Sequence, residues 1–556
     1  MRVNLIVGAL LFMLSGCLQD RSEEKCQEMT GTNPYLPLWE YIPDAEPYIF
    51  EDPDRPGNMR VYIYGSHDAL VTEYCGREQV VWSAPVNDLR RWRYDGVIFE
   101  SKTDAQGNPL NEGGVGDILY APDVTMVTDK NGKKTYYLYP NNQAGGRHGM
   151  VAKSDRPDGP FVVCNWNPEK PTETVGDLKF DPAVFVDDDG RVYGYWGFDE
   201  SWGAELDPTT MATIKPGTKP VKDMVSKRSQ EGVFRFFEAS SMRKIKDKYV
   251  FIYSRWTAEG EFGLPGTNYT LAYAYSNSPL GPFTYGGTLI DGRGRDTNAE
   301  GDTICTATVT GNTHGSIIEI EGQWYVFYHR QCGTDEFSRQ AMVAPIEVKV
   351  TEGPEGTVEI SEGEYTSEGF ATEGLNPLVR YSAGIACYYT GPQGGKAKFP
   401  NFTFSGPYVS PQRTEYDGTT DPYDPSINHN PVVNNTHGSV VGYKYFNFDH
   451  LTHDHATLQV NLRPQGIDGV IDIWLDSPWK EKGGTKVGTI ALKKEYPSQL
   501  MEVETELTGL DAFKGKHALF FVFSSPKEGV SICELHDFKF VEKRFVNDNE
   551  IKNKNE

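Results

Sequence analysis

The chain has 556 residues, of which 38% are hydrophobic and 12% aromatic, so it is long enough for two or more globular domains and too apolar for a disordered chain. A formal net charge of -24 argues against a nucleic-acid partner, because such proteins gain affinity by neutralising phosphates with Lys and Arg. Neutral or cationic ligands fit this charge better. The 57 Gly, 35 Pro and 31 Tyr predict many short strands joined by turns, with aromatic surfaces of the kind that stack on sugars.

The N-terminus has the pattern of a bacterial lipoprotein signal. Arg2 is followed by an apolar run over residues 5–14 and then by Leu-Ser-Gly-Cys, which ends at Cys17. The run is too short to span a bilayer permanently, and the tetrapeptide is similar to a lipobox, after which the cysteine is lipidated. Residues 1–16 are therefore predicted to be a signal peptide and residues 17–32 an acidic tether, with an ordinary secretory signal or a cryptic start as alternatives. The predicted location is the cell envelope, with the lipid anchor as the membrane contact and the leaflet left open.

One phrase recurs five times along the next part of the chain. Each copy reads as a polar residue, an apolar strand, a turn rich in Asp, Gly, Lys or Asn, and an aromatic-rich strand, and a third strand often follows. The polar residues that begin the copies are Asp44, Asp123, Asp181, Glu238 and His314. Their intervals suit four-stranded antiparallel blades, so residues 33–350 are predicted to form a five-bladed β-propeller.

A propeller would bring these polar residues together. The innermost strand of each blade lines the central channel, so its first residue points towards the axis at one end. A single Asp or His at a strand start is more often a turn former or cap, and axial polar residues could also hold water or an ion. Three carboxylates and a histidine at equivalent places in a repeat instead indicate an axial site.

Carboxyl groups in such a ring can split a glycosidic bond. One protonates the leaving oxygen and the other activates water, about 6.5–9.5 Å apart when the configuration inverts. Asp44 in the first blade and Glu238 in the fourth are not adjacent around the ring, which leaves room for a sugar and a water. Asp181 in the third blade would lie nearer the acid, where its charge raises the pKa of the acid and keeps it protonated near neutral pH.

The same segments resemble glycoside hydrolase family 43 over roughly residues 33–350. "IPDAEPYIF" around Asp44 resembles the family's general-base motif, "KFDPAVFVDDDG" around Asp181 its pKa-modulator motif, and "FFEASSMRKIKDKYVFIY" around Glu238 its general-acid motif. "THGSIIEIEGQWYVFYHR", which contains His314, resembles the fifth-blade signature. The resemblance implies a five-bladed propeller and an inverting mechanism, with Asp44 as base, Glu238 as acid and Asp181 as the residue that orients the acid and raises its pKa.

Three further residues take their expected roles from the resemblance. Asp123 matches the second-blade pattern, where it is axial or structural, and Arg339 matches an arginine that approaches the substrate and the acid. His314 matches a histidine near the axis that binds a metal or water, often calcium, although one imidazole is a weak signal for an ion that prefers oxygen ligands. No cofactor is expected to be required, and a structural calcium is left open. The seven cysteines other than Cys17 form no CxxC pair or zinc spacing, which argues against metal–thiolate chemistry.

The neighbours of the acid and base depart from the family pattern. Asp44-Ala45-Glu46-Pro47 stands where many relatives have Asp-Pro-Ser, and Glu238-Ala239-Ser240-Ser241 stands where they have Glu-Gly-Pro-His, so xylosidase-like subsites do not carry over. The aromatic residues that could line a sugar pocket, or else only pack in loops, are Trp39, Phe198, Trp202 and Trp256.

The repeat stops after an acidic, Gly-rich connection at residues 351–380. Residues 381–543 contain alternating segments at intervals that predict an antiparallel, jelly-roll-like β-sandwich. This part loosely resembles a family 6 carbohydrate-binding module, in which the candidate sugar contacts are Tyr388, Tyr389, Trp474 and Trp479; mechanical support of the propeller is the alternative. Residues 544–556 are predicted to be a disordered tail.

Taken together, the sequence predicts an all-β, lipid-anchored and monomeric bacterial hydrolase. It would release pentose units, above all α-L-arabinofuranose, from plant cell-wall polysaccharide or oligosaccharide by inversion. β-Xylosidase, endo-arabinanase and exo-galactanase activities stay open, because loops rather than the three carboxylates select the sugar. A non-catalytic glycan-binding surface lipoprotein is the alternative from another class. The linkage, exo or endo action and sugar binding by the sandwich are also left open.

Overall fold

The structure is a computed structural model that describes residues 31–542 except 71, 231, 309–310, 393–394, 399–400, 405 and 453–454. The predicted signal peptide, Cys17, nearly all of the tether and the C-terminal tail lie outside the described residues. In the described part no helix has the length and apolar character that a membrane crossing requires. The six cysteines within the described residues are all free thiols: Cys75, Cys164, Cys305, Cys332, Cys387 and Cys533.

Five antiparallel sheets follow one another along the first part of the chain. Blade I contains β1 (Glu46–Glu51), β2 (Met59–Tyr64), β3 (Glu78–Pro85) and β4 (Arg93–Glu100). Blade II contains β5 (Asp123–Thr128), β6 (Lys134–Tyr139), β7 (Ala152–Ser154) and β8 (Val162–Val163). Blade III contains β9 (Ala183–Val186), β10 (Val192–Trp196), β11 (Trp202–Leu206) and β12 (Val221–Lys222). Blade IV contains β13 (Phe236–Ile245), β14 (Lys248–Arg255), β15 (Thr270–Ser276) and β16 (Thr284–Asp291).

Blade V has three strands and is flanked by two hairpins. Its strands are β19 (Ser316–Ile320), β20 (Gln323–Gln331) and β21 (Arg339–Ile346). The hairpins are β17 (Arg295–Thr297) with β18 (Thr303–Cys305) before it, and β22 (Val348–Val350) with β23 (Val358–Ile360) after it.

The first strands of the blades form a closed ring. β1 contacts β19, β19 contacts β13, β13 contacts β9, and β9 contacts β5. The ring closes because the Tyr48 hydroxyl of β1 donates a hydrogen bond to Asp123 Oδ1 of β5 at 2.6 Å. Tight turns such as those at Gly132 and Gly190, with φ of 83° and 81°, join first and second strands in a backbone conformation that favours glycine.

The C-terminal part packs two sheets face to face. One sheet has the order β28-β29-β36-β31-β34 with β24 beside β36, and the other has the order β25-β30-β35-β32-β33. Side chains alternate between core and solvent along the strands, as in β31, where Leu458, Val460 and Leu462 are buried. The strands are β24 (Tyr381–Ser382), β25 (Tyr388–Thr390), β28 (Tyr408–Val409), β29 (Val432–Asn435), β30 (Val440–Asn447), β31 (Ala456–Pro464), β32 (Gly469–Leu475), β33 (Thr485–Leu492), β34 (Met501–Leu507), β35 (Lys516–Ser524) and β36 (Cys533–Val541), and a separate hairpin is formed by β26 (Gly395–Lys398) and β27 (Asn401–Phe404).

Six one-turn 3-10 helices complete the described structure: Glu112–Gly114, Glu261–Gly263, Ala383–Ile385, Phe448–His450, Lys480–Lys482 and Leu510–Ala512. The predicted fold class is thereby confirmed: the chain is all-β, a five-bladed propeller followed by a β-sandwich. The predicted domain limits at residues 350 and 381 stay predictions.

A continuous hydrophobic core joins the propeller to the sandwich. It runs from Leu271 and Met342 of blades IV and V to Val432 and Phe538 of the sandwich. Arg330, which is 1% exposed, reaches across this seam and donates hydrogen bonds to the carbonyl oxygens of Ala386 at 2.6 Å and Gly384 at 2.5 Å. Since these groups are buried, each bond satisfies a carbonyl that would otherwise lose its water. The sandwich is thus fixed against the end of the propeller at which the first strands begin.

Candidate active site

Four of the five polar residues that begin the repeats lie at one end of the ring. Asp44, Asp181 and His314 each stand two residues before the first strand of a blade, and Glu238 lies in β13 beside a break in its register with β14. Asp44 and Asp181 have φ of 61° and 49°, a left-handed conformation that costs a residue other than glycine about 1–3 kcal/mol. Because the fold accepts this cost at both aspartates, the direction of their side chains at this end of the channel is kept at the expense of backbone stability.

Asp44 is held by donors on several sides. The Ser66 hydroxyl donates to its Oδ2 at 2.6 Å, and Arg339 Nη1 lies 3.2 Å from Oδ1 and 3.3 Å from Oδ2. His329 Nδ1 accepts a hydrogen bond from the Asp44 backbone N–H at 3.2 Å. Burial alone would raise the pKa of Asp44, but the Arg339 charge, with the other donors, outweighs burial and holds that pKa below its ordinary value. Asp44 is therefore ionised at neutral pH.

Arg339 is itself fixed by a second carboxylate, which the sequence analysis did not identify. Asp68 accepts hydrogen bonds from Arg339 Nε at 2.9 Å and from Nη2 at 2.7 Å, and Arg339 is only 1% exposed. The guanidinium thus bridges two buried aspartates, which fixes its plane against Asp44. The resemblance implies an arginine near the substrate and the acid; here Arg339 donates to the base Asp44, and its charge also reaches Glu238, whose pKa it acts to lower. In the sequence, Asp68 is marked only by its position four residues after β2.

Asp181 and Glu238 form the opposite side of the site. Asp181 accepts hydrogen bonds from Asn141 Nδ2 at 2.9 Å and from the backbone N–H of Ala239 at 3.1 Å, so it contacts the residue that follows Glu238. Glu238 is 8% exposed, and within the described residues no hydrogen bond contributes to the pKa of its carboxyl. A carboxyl that faces the channel without donors is suited to carry a proton.

Glu238 and Asp181 differ in the environment that determines which of them carries a proton. Burial, followed by the charges of Asp181 and Asp44, raises the pKa of Glu238 well above its ordinary value. Burial and the Asp44 charge also raise the pKa of Asp181, to about 8 even with its two hydrogen-bond donors, which favour the ionised form. Glu238 has no such donors, so of this pair it holds a proton more tightly. We therefore place the proton on Glu238. The site combines one ionised carboxylate, Asp44, with one protonated carboxyl, Glu238.

A second polar cluster lies deeper along the axis. Arg243 Nη2 donates to Glu46 Oε2 at 2.7 Å, and the Ser241 hydroxyl donates to the same oxygen at 3.2 Å. Asp123 joins the cluster through Tyr48 and accepts a hydrogen bond from the Val184 N–H at 2.6 Å. Asp123 therefore ties blades I, II and III together below the site. Glu46, two residues after Asp44, is the first residue of β1, and the repeat did not mark it as an axial residue.

His314 lies between the two clusters. Its Nδ1 is 3.8 Å from Asp181 Oδ2 and its Nε2 is 3.9 Å from Glu46 Oε1, and in the described structure neither Nε2 nor Glu46 Oε1 has a hydrogen-bond partner. Burial lowers the pKa of His314 to about 4, so the ring is neutral. One neutral imidazole and one carboxylate oxygen suit a bound water better than calcium, which takes six to eight oxygen ligands. Over the residues that the structure describes, no three His, Cys, Asp or Glu side chains converge as a metal site would require.

Aromatic rings line the mouth of the site. Phe180, Phe198, Phe237 and Trp256 form a row with successive centroid distances of 5.6, 5.1 and 5.4 Å. Phe180 and Phe237 directly precede the carboxyls of blades III and IV, and Phe198 is 57% exposed. The row can therefore offer ring faces to a sugar held between the carboxyls.

The other two candidate stacking residues lie away from this row. Trp202 packs parallel to Trp196, with centroids 6.4 Å apart, at the edge of a hollow of about 570 Å³ that Phe198 also lines. Trp39 is 5% exposed and donates its indole N–H to the Pro422 carbonyl at 2.9 Å, so it belongs to the seam with the C-terminal part.

The candidate sugar contacts of the sandwich are only partly accessible. Tyr388 and Tyr389 are 0% and 5% exposed, and both pack in buried clusters. Trp474 and Trp479 are half-buried against the Tyr388 cluster. A ring enclosed by other side chains has no free face for a sugar, so the two tyrosines are packing residues in this structure.

Comparison with known proteins identifies the family. Residues 57–352 match the family model "Glycosyl hydrolases family 43", a stretch that contains Asp181, Glu238, His314 and Arg339 and begins after Asp44. A "Xylosidase/arabinosidase" from Thermoclostridium stercorarium is 33% identical over 513 residues, which are 88% of this chain and 95% of that protein. An "Arabinoxylan arabinofuranohydrolase" from Bacillus subtilis (strain 168) is 25% identical over 551 residues, covering 94% of this chain and 96% of the relative.

Among solved structures, a family 43 arabinoxylan arabinofuranohydrolase from Bacillus subtilis in complex with cellotetraose matches with a TM-score of 0.40 and 21% identity, covering 93% of this chain and 100% of that chain. The family match and the relatives confirm the resemblance to glycoside hydrolase family 43, whereas the resemblance of the C-terminal part to a family 6 carbohydrate-binding module stays a prediction. The chain belongs to glycosyl hydrolase family 43 and is a glycoside hydrolase.

Proposed function

We propose that this hydrolase releases α-L-arabinofuranose units from xylan-type plant polysaccharide or its oligosaccharides, with inversion of configuration. Asp44 is the general base that activates water, Glu238 is the general acid that protonates the leaving oxygen, and Asp181 keeps the acid protonated. The observation that carries the proposal is the contrast between an ionised Asp44 beside Arg339 and a protonated Glu238 without donors. The names of the relatives, which join xylosidase with arabinosidase activity, support the substrate class.

The residues around the two carboxyls take supporting roles in this proposal. Arg339 keeps the base ionised, and His314 holds a water near Asp181. Phe198 and Trp256 stack on the sugar, and Trp202 contacts a more distant part of the substrate. No cofactor is needed, because two carboxyl groups and water suffice for the reaction. A structural calcium at His314 is not part of the proposal, since the described donors fit water better.

In the cell we propose a lipid-anchored enzyme of the bacterial envelope, attached through Cys17 and acting as a monomer. The proposal rests on the pattern of residues 1–17 alone. Incorporation of labelled palmitate into the wild-type chain and not into Cys17→Ser would support it. An unlabelled wild-type chain with a processed N-terminus elsewhere would contradict it.

Proton NMR during hydrolysis of 4-nitrophenyl α-L-arabinofuranoside tests the proposed reaction. The first product signal should belong to the β-anomer of arabinofuranose, and the α-anomer should appear only by later mutarotation. A first signal from the α-anomer would exclude inversion. Parallel assays with 4-nitrophenyl β-D-xyloside, linear arabinan and galactan separate this reading from a β-xylosidase, an endo-arabinanase and an exo-galactanase. A higher kcat/KM on the xyloside than on the arabinofuranoside would replace the proposed sugar with xylose.

A further inference from the structure

A second cavity lies at the seam between blade I and the C-terminal part. It encloses about 540 Å³, within the range of small-molecule binding sites. Blade I and the segment before it contribute Trp39, Tyr41 and Tyr94, and residues 413–416 of the C-terminal part form the opposite wall. Because two separate stretches of chain build this "seam pocket", it exists only when the propeller and the sandwich are packed together.

Aromatic rings form much of the wall of the seam pocket. Tyr416 packs against Trp39 with ring centroids 4.9 Å apart and meets Tyr94 edge-on at 5.5 Å. Tyr416 and Tyr94 are only half-buried, so each keeps part of its ring exposed to the pocket. Half-exposed tyrosine rings that are fixed by neighbours offer flat apolar faces at little entropic cost.

A charged triad forms the floor of the seam pocket. His67 Nε2 lies 3.1 Å from Glu40 Oε1, and His67 Nδ1 lies 3.5 Å from Glu78 Oε1. Glu40 is 3% exposed and also accepts a hydrogen bond from the Trp82 indole N–H at 2.9 Å. Burial alone would lower the pKa of His67, but the nearby carboxyl groups of Glu40 and Glu78 outweigh it and raise that pKa to about 10. The triad is therefore a fixed set of polar groups around a His67 cation, and the proposed hydrolysis does not use it.

The charges of the seam pocket indicate what it would accept. Four acidic residues, Glu40, Asp68, Glu78 and Glu415, line it together with two basic residues, His67 and Arg413. An anionic ligand would meet more carboxylates than cations. A neutral molecule with many hydroxyls can instead pair with carboxylate acceptors and with guanidinium donors, while its ring faces pack on the tyrosines. That chemistry belongs to an uncharged saccharide.

We propose that the seam pocket is a second saccharide-binding site, which holds a short segment of neutral pentose chain outside the catalytic site. This inference rests on the proposed function, because it takes the pentose polysaccharide from there. Tyr416 and Tyr94 stack on sugar rings, and Glu78, at the partly exposed edge of the triad, accepts hydrogen bonds from sugar hydroxyls.

The seam pocket lies close to the catalytic site. Asp68 lines it, and the same residue holds Arg339, which reaches Asp44. The pocket and the catalytic site are thus separated by two side chains on the same end of the propeller. A polysaccharide bound in the pocket stays at high effective concentration near the catalytic carboxyls. The pocket should lower KM for a polymer and leave KM for a small aryl pentoside unaffected.

Calorimetric titration of the full chain tests the inference. The probes are four-residue 1,4-linked xylan and 1,5-linked arabinan segments with sulfur in place of the glycosidic oxygen, so that neither is hydrolysed. The wild-type chain should bind two molecules of at least one probe, and Tyr416→Ala should bind one. Glu78→Gln, a surface change that keeps the shape of the pocket, should retain both sites with about two- to tenfold weaker affinity at one of them.

Arg91→Ala is the matched control. Arg91 Nη2 also bonds across the seam, to Asp421 Oδ1 at 2.7 Å, and its guanidinium also lies over a tyrosine, Tyr423, at 5.2 Å, but it does not line the pocket. It should keep two sites. One site in the wild-type chain for both probes, two undiminished sites in both pocket variants, or equal loss in Arg91→Ala would overturn the inference. If Tyr416→Ala fails to fold, Glu78→Gln decides. Binding of these probes does not require turnover, so failure of the hydrolysis assays would count against the proposed function and not against the pocket.

Discussion

Ser66→Ala should move the acid limb of the pH–rate profile to higher pH. The Ser66 hydroxyl donates a 2.6 Å hydrogen bond to Asp44 Oδ2, and Ser66 itself is fully buried. A hydrogen bond to a charged group contributes about 1.5–3 kcal/mol, and about 1.4 kcal/mol corresponds to one pKa unit. Removing the donor disfavours the ionised form, so the pKa of Asp44 should rise by about one to two units. Because Arg339 still stabilises the ionised carboxylate, the pKa of Asp44 should not rise by more than this.

The sign of the effect follows from the role of the base. Asp44 acts only when ionised, so the rate falls as pH falls through its pKa, and a higher pKa moves that fall to higher pH. The assay is kcat/KM on 4-nitrophenyl α-L-arabinofuranoside between pH 3.5 and 7, with near-ultraviolet circular dichroism at each pH to confirm folding. At pH 4 the variant should keep a smaller share of its pH 7 rate than the wild-type enzyme does, with the two acid limbs about one to two pH units apart.

Ser241→Ala is the matched control for this experiment. Its hydroxyl is also buried and also bonds to a carboxylate, Glu46 Oε2 at 3.2 Å, but it does not contact Asp44. Its acid limb should coincide with that of the wild-type enzyme. An unmoved limb in folded Ser66→Ala, or an equal shift in Ser241→Ala, would refute the assignment of Asp44 as the titrating base.

The remaining predictions concern the acid and the axial cluster. Asp181→Asn removes a negative charge that raises the pKa of Glu238. The pKa of Glu238 should therefore fall, and the basic limb of kcat/KM should move to lower pH by about one unit or more. A basic limb that stays in place would contradict the electrostatic coupling between Asp181 and Glu238. Arg243→Met leaves Glu46 buried without its cation and should lower the free energy of unfolding by about 3–5 kcal/mol in urea titrations at pH 8. Burial already raises the pKa of Glu46 to about 7 in the wild-type enzyme, and loss of the cation in Arg243→Met should raise that pKa further. At pH 5 Glu46 is then protonated and no longer needs a cation, so the loss of unfolding free energy should be smaller at pH 5 than at pH 8. An equal deficit at both values would show that Glu46 is not the group left unpaired.

The repeat made the fold predictable from the sequence. Each copy pairs an apolar strand with an aromatic-rich one across a polar turn, and a chain that repeats this unit five times can bury both faces of every sheet only by closing into a ring. The same logic located Asp44, Asp181 and Glu238, because equivalent places in a repeat occupy equivalent places around an axis. The sandwich followed from period-2 alternation, as in the buried positions of β31.

The partners of these residues could not be predicted in the same way. Ser66 and Asp68 follow the second strand of blade I. Ser66 bonds to Asp44 directly, and Asp68 is linked to Asp44 through Arg339, which comes from blade V, 271 positions away from Asp68. Arg243 has no marked role in the sequence, whereas in the structure it lies in blade IV and bonds to Glu46 of blade I and to the Ile317 carbonyl of blade V. Contacts between blades depend on packing at long sequence separation, which no local pattern records.

The seam determines the environment of Trp39, one of the four aromatic residues that could line a sugar pocket or else only pack. A tryptophan near a catalytic motif predicts a stacking platform, but this one is covered by Tyr416 from the C-terminal part. Its environment is set by a residue that the sequence assigns to another domain. The same packing creates the seam pocket.

The leaving-group dependence of Glu238→Gln tests the central claim most directly. The claim is that an ionised Asp44 and a protonated Glu238 act together across one axis. The measurement is kcat/KM on aryl α-L-arabinofuranosides whose phenols span a wide range of pKa, for the wild-type enzyme and the variant. The rate should depend weakly on the phenol in the wild-type enzyme and steeply in the variant, with losses of about 10²–10⁴-fold for poor leaving groups and much smaller losses for good ones, which depart without a proton. A uniform loss across the series, or no loss, would contradict the assignment of Glu238 as the acid.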